Sequence, residues 1–344
     1  MSALLSTRRV IIVTASLTTA LLFAVVMGLA VGPTPLGWGR VLGDMGSHLG
    51  LGHSTLSPLE STILWQLRAP RLVLGLLAGA MLAVAGGSYQ GVFRNPLADP
   101  YLLGVAAGAG LGATIAIVGQ GFEAAAPTWT PLLAFAGSMA AVGLTWIVGG
   151  RSRGASASTL VLAGVAVSSL LTSAQTFLQQ SSSQAIARVY IWLLGSLASA
   201  DWHAVRMILP YVVLCLVVCV VAGKALDVMS VGDDESRTLG LPVRRVRLLV
   251  VLASSLGTAA VVTAVGLIGF VGIIVPHIIR LLVGTSYRRI LPLCIIGGAA
   301  FLVLADTAAR SVLAPSELPL GVVTALVGAP VFVVLLSWQR VRSA

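Results

Sequence analysis

The sequence predicts an all-α membrane protein that crosses the bilayer many times. Among its 344 residues, 57% are hydrophobic and only 9% are charged. A water-soluble domain of ordinary composition carries about 25% charged residues and cannot bury this much apolar surface in its core. Because the apolar residues form long runs along the whole chain, we expect a single transmembrane domain over residues 1–344.

Ten apolar runs are candidate transmembrane helices. A helix needs about 20 mostly apolar residues to cross about 30 Å of hydrocarbon. The predicted spans are residues 10–31, 72–92, 100–118, 130–149, 158–178, 205–223, 247–266, 268–284, 290–307 and 320–338. The first run follows Arg8 and Arg9, as the core of a secretory signal would. At about 22 residues it is longer than such a core, so we predict a retained span.

The basic residues predict the orientation of these spans, because Lys and Arg collect on the cytoplasmic side of short loops. With the N-terminus inside, 15 of the 21 basic residues fall on the inner side: Arg8, Arg9, Arg94, Arg151, Arg153, Lys224, Arg237, Arg244, Arg245, Arg247, Arg280, Arg288, Arg289, Arg340 and Arg342. The outer side holds Arg40, Arg68, Arg71, Arg188, Arg206 and Arg310. We therefore predict that both termini are cytoplasmic. Nucleic-acid binding is not expected, since the positive charge is divided among many short loops.

The sequence argues against a catalytic or metal-binding chain. It contains no GxxxxGK[ST] phosphate loop, so any ATP-driven work would need a partner subunit. Cys215, Cys219 and Cys294 lie in apolar spans without nearby His or acidic ligands, and we interpret them as small core residues. The span centres carry almost no ionisable groups, whereas proton-coupled carriers place acids or histidines at the midplane.

Glycines and a proline interrupt the seventh and eighth predicted spans. Gly266, Gly269 and Gly272 allow close backbone packing, and Pro276 removes a backbone donor just before His277. Breaks of this kind in apolar spans are typical of a transport pathway. A tight helix crossing with a hydrogen-bonded histidine explains them equally well. For His277 we favour a structural hydrogen bond over proton transfer or metal binding.

The loop from Arg94 to Pro100 is predicted to be rigid. Its two prolines fix φ, and Asn95 and Asp99 can cap the turn and the following helix. A tight structural hairpin is a sufficient explanation for this loop.

Residues 226–242 form the longest polar stretch assigned to the cytoplasm, and we call them the coupling segment. Asp233, Asp234 and Glu235 favour a helix N-terminus, while Gly240 and Pro242 would end that helix. The pattern predicts a short amphipathic helix that docks a soluble partner. A solvated loop is the alternative.

Arg68, Arg71 and Arg310 run against the topological bias, because they place positive charge on the outer side. A contact surface for an acidic external partner would explain this exception. We call these three residues the outer arginines.

The chain resembles the FecCD/BtuC-like permeases of ABC importers for ferric siderophores, haem and cobalamin. The resemblance covers nearly the whole chain. It rests on residues 67–71, 79–83, Gln90, 94–100, 103–104, 162–166, 231–240, 270–277, Arg280, 305–306 and, as the most specific run, Glu317 to Pro330.

The resemblance implies a type II ABC importer permease fold with ten helices. Such a subunit pairs with a second permease subunit, an identical copy or a close paralogue, around a central pathway. It carries no catalytic group, because ATP and Mg²⁺ bind in two separate ATPase subunits. An extracytoplasmic substrate-binding protein delivers the metal chelate across the bacterial cytoplasmic membrane.

The resemblance also implies residue roles. The residues implied in coupling to the ATPase are Val231, Gly232, Asp233, Asp234, Glu235, Ser236, Leu239 and Gly240. The outer arginines would meet acidic residues of the binding protein, and Ser156, Ala157 and Ser158 resemble the inner gate. The structural motif residues are Asn95, Pro96, Asp99, Pro276, His277, Glu317 and Pro319.

The cargo stays open at this point, because such pathways carry little charge and the binding protein sets specificity. A ferric siderophore is our first expectation, with haem or cobalamin as alternatives. A secondary carrier driven by ions or protons and a purely structural scaffold are the rival functions from other classes.

Overall fold

The structure is a computed structural model that describes residues 2–32, 34, 36–48, 50, 53–119, 129–150, 157–180 and 183–343. The described residues form helices and connecting loops without a β-strand. The helices are α1 Ser2–Ala30, α2 Trp38–His48, α3 Pro58–Thr62, α4 Ala69–Phe93, α5 Val105–Gly119, α6 Thr130–Gly150, α7 Ala157–Gln180, α8 Ser183–Leu193, α9 Trp202–Val221, α10 Gly223–Met229, α11 Asp233–Thr238, α12 Val243–Val265, α13 Val271–Val283, α14 Tyr287–Ala309 and α15 Leu320–Ser343.

Among the described residues, seven segments are long and apolar enough to span a bilayer: those containing α1, α4, α6, α7, α9, α12 and α14. Val105–Gly119 and Val271–Val283 are shorter apolar helices, and the part Leu320–Val334 of α15 is also apolar, so the part of the chain that the structure describes contains ten apolar helices. The predicted all-helical fold is confirmed, and the ten-helix prediction is compatible with this arrangement. At 13 residues, α13 measures about 20 Å, which is too short to cross the hydrocarbon alone.

Helix α4 is the centre of the bundle and packs against α14, α12 and α13. Its glycines permit these contacts. A Cβ at Gly79 would lie 2.2 Å from the carbonyl oxygen of Gly298 in α14, and one at Gly86 would lie 1.9 Å from that of Gly272 in α13. Backbones approach this closely only where a side chain is missing. The glycines of α4 therefore serve helix packing.

The seventh and eighth spans are separated by a non-helical stretch from Gly266 to Phe270. Gly266 ends α12 with φ +72°, and Phe270 precedes α13 with φ +69°. The expected close packing holds for two of the three glycines. A Cβ at Gly266 would lie 2.3 Å from the carbonyl oxygen of Trp192, and one at Gly272 would lie 2.5 Å from Cδ of Pro100, whereas a Cβ at Gly269 would meet nothing within 4 Å.

Hydrogen bonds to the main chain and to the Tyr101 hydroxyl satisfy backbone groups in and beside this non-helical stretch. The N–H of Ser196 donates to the carbonyl of Val265 at 2.9 Å. Tyr101 donates its hydroxyl to the carbonyl of Ile268 at 3.0 Å and accepts from the N–H of the same residue at 3.1 Å. Irregular backbone at membrane depth is stable only where protein or a water-filled cavity supplies such partners.

Candidate functional site

Two short helices, α10 and α11, form the coupling segment. Gly232 joins them with φ +136°, and a Cβ there would lie 1.9 Å from Oε2 of Glu235. L-residues rarely adopt such a φ, so the turn requires glycine. Ser236 donates its hydroxyl to the carbonyl of Val228 at 2.9 Å, which ties α11 back onto α10. The segment is therefore a folded knob rather than a solvated loop.

Asp233 clamps this knob to the transmembrane bundle. Its carboxylate accepts hydrogen bonds from the buried guanidinium of Arg247 in α12 at 2.7 and 2.9 Å. Arg94, in the loop after α4, lies 3.3 Å from the same carboxylate. Charge-assisted hydrogen bonds of this kind are stronger than neutral ones. The neighbouring Asp234 is 90% exposed and pairs with Arg237 on the surface.

Asp227 makes a second attachment by capping α14 from another helix. Its carboxylate accepts from the hydroxyl of Ser286 at 2.7 Å and from the backbone N–H of Tyr287 at 2.5 Å. A carboxylate at a helix N-terminus satisfies free donors and complements the helix dipole. The position of α10 is therefore fixed against the first turn of α14.

A chain of side-chain hydrogen bonds continues from this cap into the bundle. The guanidinium of Arg280 donates to the hydroxyl of Tyr287 at 2.9 Å and to Oε1 of Gln90 at 3.2 Å. The amide of Gln90 donates in turn to the carbonyls of Gly272 and Ile273, both at 3.4 Å. The coupling segment is thereby linked through α14, α13 and α4 to the first turn of α13.

The predicted coupling residues divide into two groups. Gly232 and Ser236 are buried and shape the knob, so they are not available for direct contact with a partner. Val231 and Leu239 are 61% and 70% exposed. The remaining residues line the same surface: Asp234, Glu235 and Gly240 are exposed, while Asp233 is half-buried.

The loop from Arg94 to Pro100 is held by the two expected side chains. Oδ1 of Asn95 accepts from the N–H of Leu97 at 2.9 Å, and Oδ1 of Asp99 accepts from that of Tyr101 at 2.7 Å. Because α5 begins at Val105, Asp99 holds an intervening turn and does not cap the helix as predicted. Burial raises the pKa of Asp99 to about 6.

The predicted gate is described only in part. Ser156 lies outside the described residues, whereas Ala157 is half-buried and Ser158 exposed in the first turn of α7. His277 is buried in α13, with 3% of its surface exposed. The preceding residue, Pro276, packs against α4 at Gly87, where an added Cβ would lie 3.3 Å from Cβ of Pro276.

Two outer arginines cap the C-terminus of α1. Arg68 donates to the carbonyls of Leu29 at 2.7 Å and Ala30 at 3.0 Å, and Arg310 donates to that of Gly28 at 2.5 Å. Both residues are almost fully buried, at 6% and 4% exposure. Cationic side chains commonly satisfy the last carbonyls of a helix. Both guanidinium groups therefore have partners inside the protein, and docking of an acidic external partner at these two residues stays a prediction.

Arg71 lies between two carboxylates. It is 2.8 Å from Oδ1 of Asp306 in α14 and 2.9 Å from Oε1 of Glu317 in the loop before α15. The hydrogen bond and the charge of Arg71 hold the pKa of Glu317 below its ordinary value. Pro319 follows, and its carbonyl accepts from the N–H of Val323 in the first turn of α15. The motif residues Glu317 and Pro319 thus fix the approach to the last helix.

The comparisons with known proteins decide the family. A sequence model of the FecCD transport family matches residues 20–338, which is most of the chain. The chain belongs to the FecCD transport family. Relatives of this family member include the Fe(3+) dicitrate transport system permease protein FecD of Escherichia coli K12, which is 37% identical over 94% of this chain and 98% of its own length.

The cobalamin import system permease protein BtuC of Halobacterium salinarum is 40% identical over 82% of this chain and 75% of its own length. A solved structure of an inward-facing metal-chelate type ABC transporter superposes with a TM-score of 0.81 at 29% identity, over 94% of this chain and 97% of that one. This FecCD protein is therefore a multi-pass membrane protein and the permease component of an ABC importer.

The described residues include no group of three or more His, Cys, Asp or Glu side chains that could hold a metal ion. Sequence reasoning missed the Asp227 cap, the Asp233 clamp and the arginine caps of α1. The unusual outer position of Arg68 and Arg310 was visible in the sequence, and so was the i,i+4 spacing of Arg310 to Asp306, which lies 3.6 Å away. The carbonyls of α1 that both arginines cap are main-chain groups and leave no signal in the sequence.

Proposed function

We propose that this permease passes a metal chelate, in the first place a ferric siderophore, across the bacterial cytoplasmic membrane. The iron-dicitrate relative supports an iron cargo. Cobalamin is the second candidate, because permeases named for cobalamin import are up to 40% identical to this chain; haem is a further alternative. The chain would catalyse no reaction itself, with ATP and Mg²⁺ bound by two partner ATPase subunits.

The coupling segment is the observation that carries this proposal. It presents exposed apolar side chains, Val231 and Leu239, on a helix pair fixed by the Asp227 and Asp233 attachments. Two exposed apolar residues on a rigid polar knob suit insertion into a cleft of a soluble partner. A force on this knob would reach α12 through Arg247 and α14 through Tyr287.

An apolar surface near the broken helices supports passage of a large chelate. A cavity of about 600 Å³ is lined by residues such as Leu193, Leu267, Phe270, Ala325 and Pro330, none of them charged. A surface without charges offers few sites where a polar chelate would be held. We place the pathway at this surface, with a second permease subunit completing it, and Ala157 and Ser158 at its inner gate.

The outer end would receive the substrate-binding protein. Arg71 is the outer arginine best placed for this role, because its partner Glu317 is 30% exposed at the surface. An acidic partner would then compete with Glu317 and Asp306 for the guanidinium group. With this orientation both termini are cytoplasmic, as the basic residues predict.

Uptake measured with and without the ATPase tests the function. Proteoliposomes holding the permease and its ATPase should accumulate a radiolabelled ferric siderophore delivered by the binding protein, only with internal ATP. Labelled cobalamin in the same assay discriminates the second candidate. Accumulation driven by an ion or proton gradient without the ATPase would overturn the proposal in favour of a secondary carrier.

A further inference from the structure

A second and larger cavity lies on the other side of α8. Its volume is about 1040 Å³, at the upper end of the range for small-molecule sites. Ile191 and Trp192 of α8 line it, whereas Leu193 and Leu194 line the apolar surface assigned to the pathway. Its other walls come from α6, α9 and the last two turns of α12. The cavity is therefore separate from the proposed transport route.

The cavity occupies the outer half of the membrane. Its α6 wall runs from Thr130 to Phe135, and its α9 wall runs from His203 to Tyr211. The eight helical steps from His203 to Tyr211 cover about 12 Å, which is less than the thickness of one hydrocarbon leaflet. Both walls start at helix ends that are predicted to face outward. One end of the cavity thus lies at the headgroup level and the other inside the leaflet.

The chemistry of the walls differs between these two ends. Leu132 and Met207 are 55% and 40% exposed, so the cavity opens sideways toward lipid beside them, whereas the ring centroids of Phe135 and Tyr211 lie 6.2 Å apart at the deep end. Two basic side chains, Arg188 and His203, also line the cavity, and its described walls contain no acidic residue. Arginine binds phosphate through two parallel N–H donors, which makes it suited to an anionic headgroup.

We propose that this cavity binds an anionic glycerophospholipid from the outer leaflet. Arg188 contacts the phosphate, His203 lies at the headgroup level, and an acyl chain runs along Met207 and Tyr211. A lipid in this position packs directly against α8 and the end of α12, the elements that also shape the proposed pathway. The site would thus make the broken-helix region sensitive to membrane composition.

The positive charge selects this occupant over a substrate molecule. A chelate travelling through the pathway would have to cross α8 to reach the cavity. A lipid reaches it from the side, where Leu132 and Met207 are exposed. The net negative charge of phosphatidylglycerol complements Arg188, whereas phosphatidylcholine carries no net charge and should bind less well.

Quenching of Trp192 fluorescence tests the proposal. The purified permease with its ATPase is placed in nanodiscs of phosphatidylcholine that contain rising fractions of phosphatidylglycerol with brominated chains. The Trp192 signal is the difference between wild type and Trp192→Phe. We expect half-maximal quenching at a mole fraction about fivefold lower for brominated phosphatidylglycerol than for brominated phosphatidylcholine, the effect of one basic side chain near a membrane surface.

Two variants distinguish a built site from general lipid contact. Arg188→Gln should abolish the preference for phosphatidylglycerol, while Arg206→Gln, an exposed basic residue of α9 outside the cavity, should retain it. Ala204→Phe fills the cavity mouth without adding an indole and should lower quenching of Trp192 by both lipids. Equal quenching by the two lipids, or an Arg188→Gln variant that keeps the preference, would overturn the proposal. ATP-driven uptake is measured separately, so its outcome does not decide this one.

Discussion

Buried arginines lie at both ends of the bundle, the one predicted to face the cytoplasm and the one predicted to face outward, and we call these the inner and outer ends. Their contacts differ between the two ends. At the inner end, buried Arg247 holds Asp233 and leaves Val231 and Leu239 exposed on the coupling segment. At the outer end, buried Arg68 and Arg310 donate to main-chain carbonyls of α1. Arg247 thus holds a segment whose apolar side chains are exposed, whereas Arg68 and Arg310 satisfy the last carbonyls of α1.

This difference shows that an arginine at the edge of a membrane bundle does not by itself mark a docking site. The partner of the guanidinium group decides its role. A carboxylate partner on a protruding segment attaches that segment to the bundle, while a carbonyl partner at a helix terminus satisfies the last carbonyls of the helix. Arg71 stands between these cases, because both of its partners are carboxylates and one of them is near the surface.

Replacing Gly232 should have the largest effect on the inner end. Gly232→Val forces a β-branched residue to φ +136° and into Glu235, which would distort the coupling segment. We expect ATP-driven uptake to fall to the level without ATPase, while the permease stays inserted. The control is Gly43→Ala in α2, where a Cβ meets nothing within 4 Å. Normal uptake by Gly232→Val would contradict the assignment of the segment.

The two adjacent aspartates offer the next comparison. Asp233→Asn weakens the clamp on buried Arg247 and should lower the free energy of unfolding by about 1.5–3 kcal/mol, the range for a hydrogen bond to a charged group. Asp234→Asn alters an exposed pair and should change it by about 0.5 kcal/mol or less. Chemical or thermal unfolding of both variants in nanodiscs measures the difference. Equal losses would mean that the clamp has no special role.

Charge reversal at the outer end tests whether Arg71 serves docking. Arg71→Glu brings a third carboxylate beside Asp306 and Glu317 and should slow association of the binding protein several-fold. Association with the wild type should also slow as ionic strength rises, since screening weakens attraction between exposed charges. Arg206→Glu, an outer reversal on α9, is the control. If the association rate depends neither on salt nor on Arg71→Glu, the outer arginines have a structural role only.

Substitution of His277 should have a smaller effect. His277→Gln keeps a donor and should preserve most transport. His277→Leu removes the polar group from a buried position and should lower the free energy of unfolding by about 1–3 kcal/mol by leaving its partner unsatisfied. Folded yield and uptake are measured side by side. If Gln abolishes uptake while folding and ATPase binding are intact, His277 belongs to the transport mechanism.

The smallest expected effect is the pH dependence of the Arg71–Glu317 pair. Arg71 lowers the pKa of Glu317 below 4.5, so the pair stabilises the fold fully above that pH. This contribution is lost as the pH falls from 4.5 through the lowered folded-state pKa. Because Glu317 is 30% exposed, about 1 kcal/mol or less is at stake. Thermal unfolding between pH 7 and pH 3 should be less pH-dependent for Glu317→Gln than for wild type.

Part of this structure could be predicted from the sequence. Apolar runs of about 20 residues identify helices because each span must satisfy its backbone internally. The acidic run Asp233 to Glu235 and the later Gly240 predicted a helix that the structure places at 233–238. Both signals are local, so neighbouring residues are enough to read them.

The tertiary contacts could not be predicted in the same way. Arg310 caps a helix that ends 280 residues earlier in the chain, and Asp227 caps one that begins 60 residues later. The helix α8 has only 11 residues, too few for the length criterion that identifies spans. Each of these features depends on which helices become neighbours, and hydropathy carries no information on that choice.

The main-chain hydrogen bonds between α8 and α15 restrict how the protein can move. The N–H of Leu320 donates to the carbonyl of Gly195, and the N–H of Gly321 donates to that of Leu194, both at 3.0 Å. These two neighbouring bonds join the chain just after α8, a short helix, to the start of α15. We therefore expect α8 and α15 to move together as a rigid unit during alternating access. The distance between spin labels on the two helices should then be the same in the inward-facing and outward-facing states.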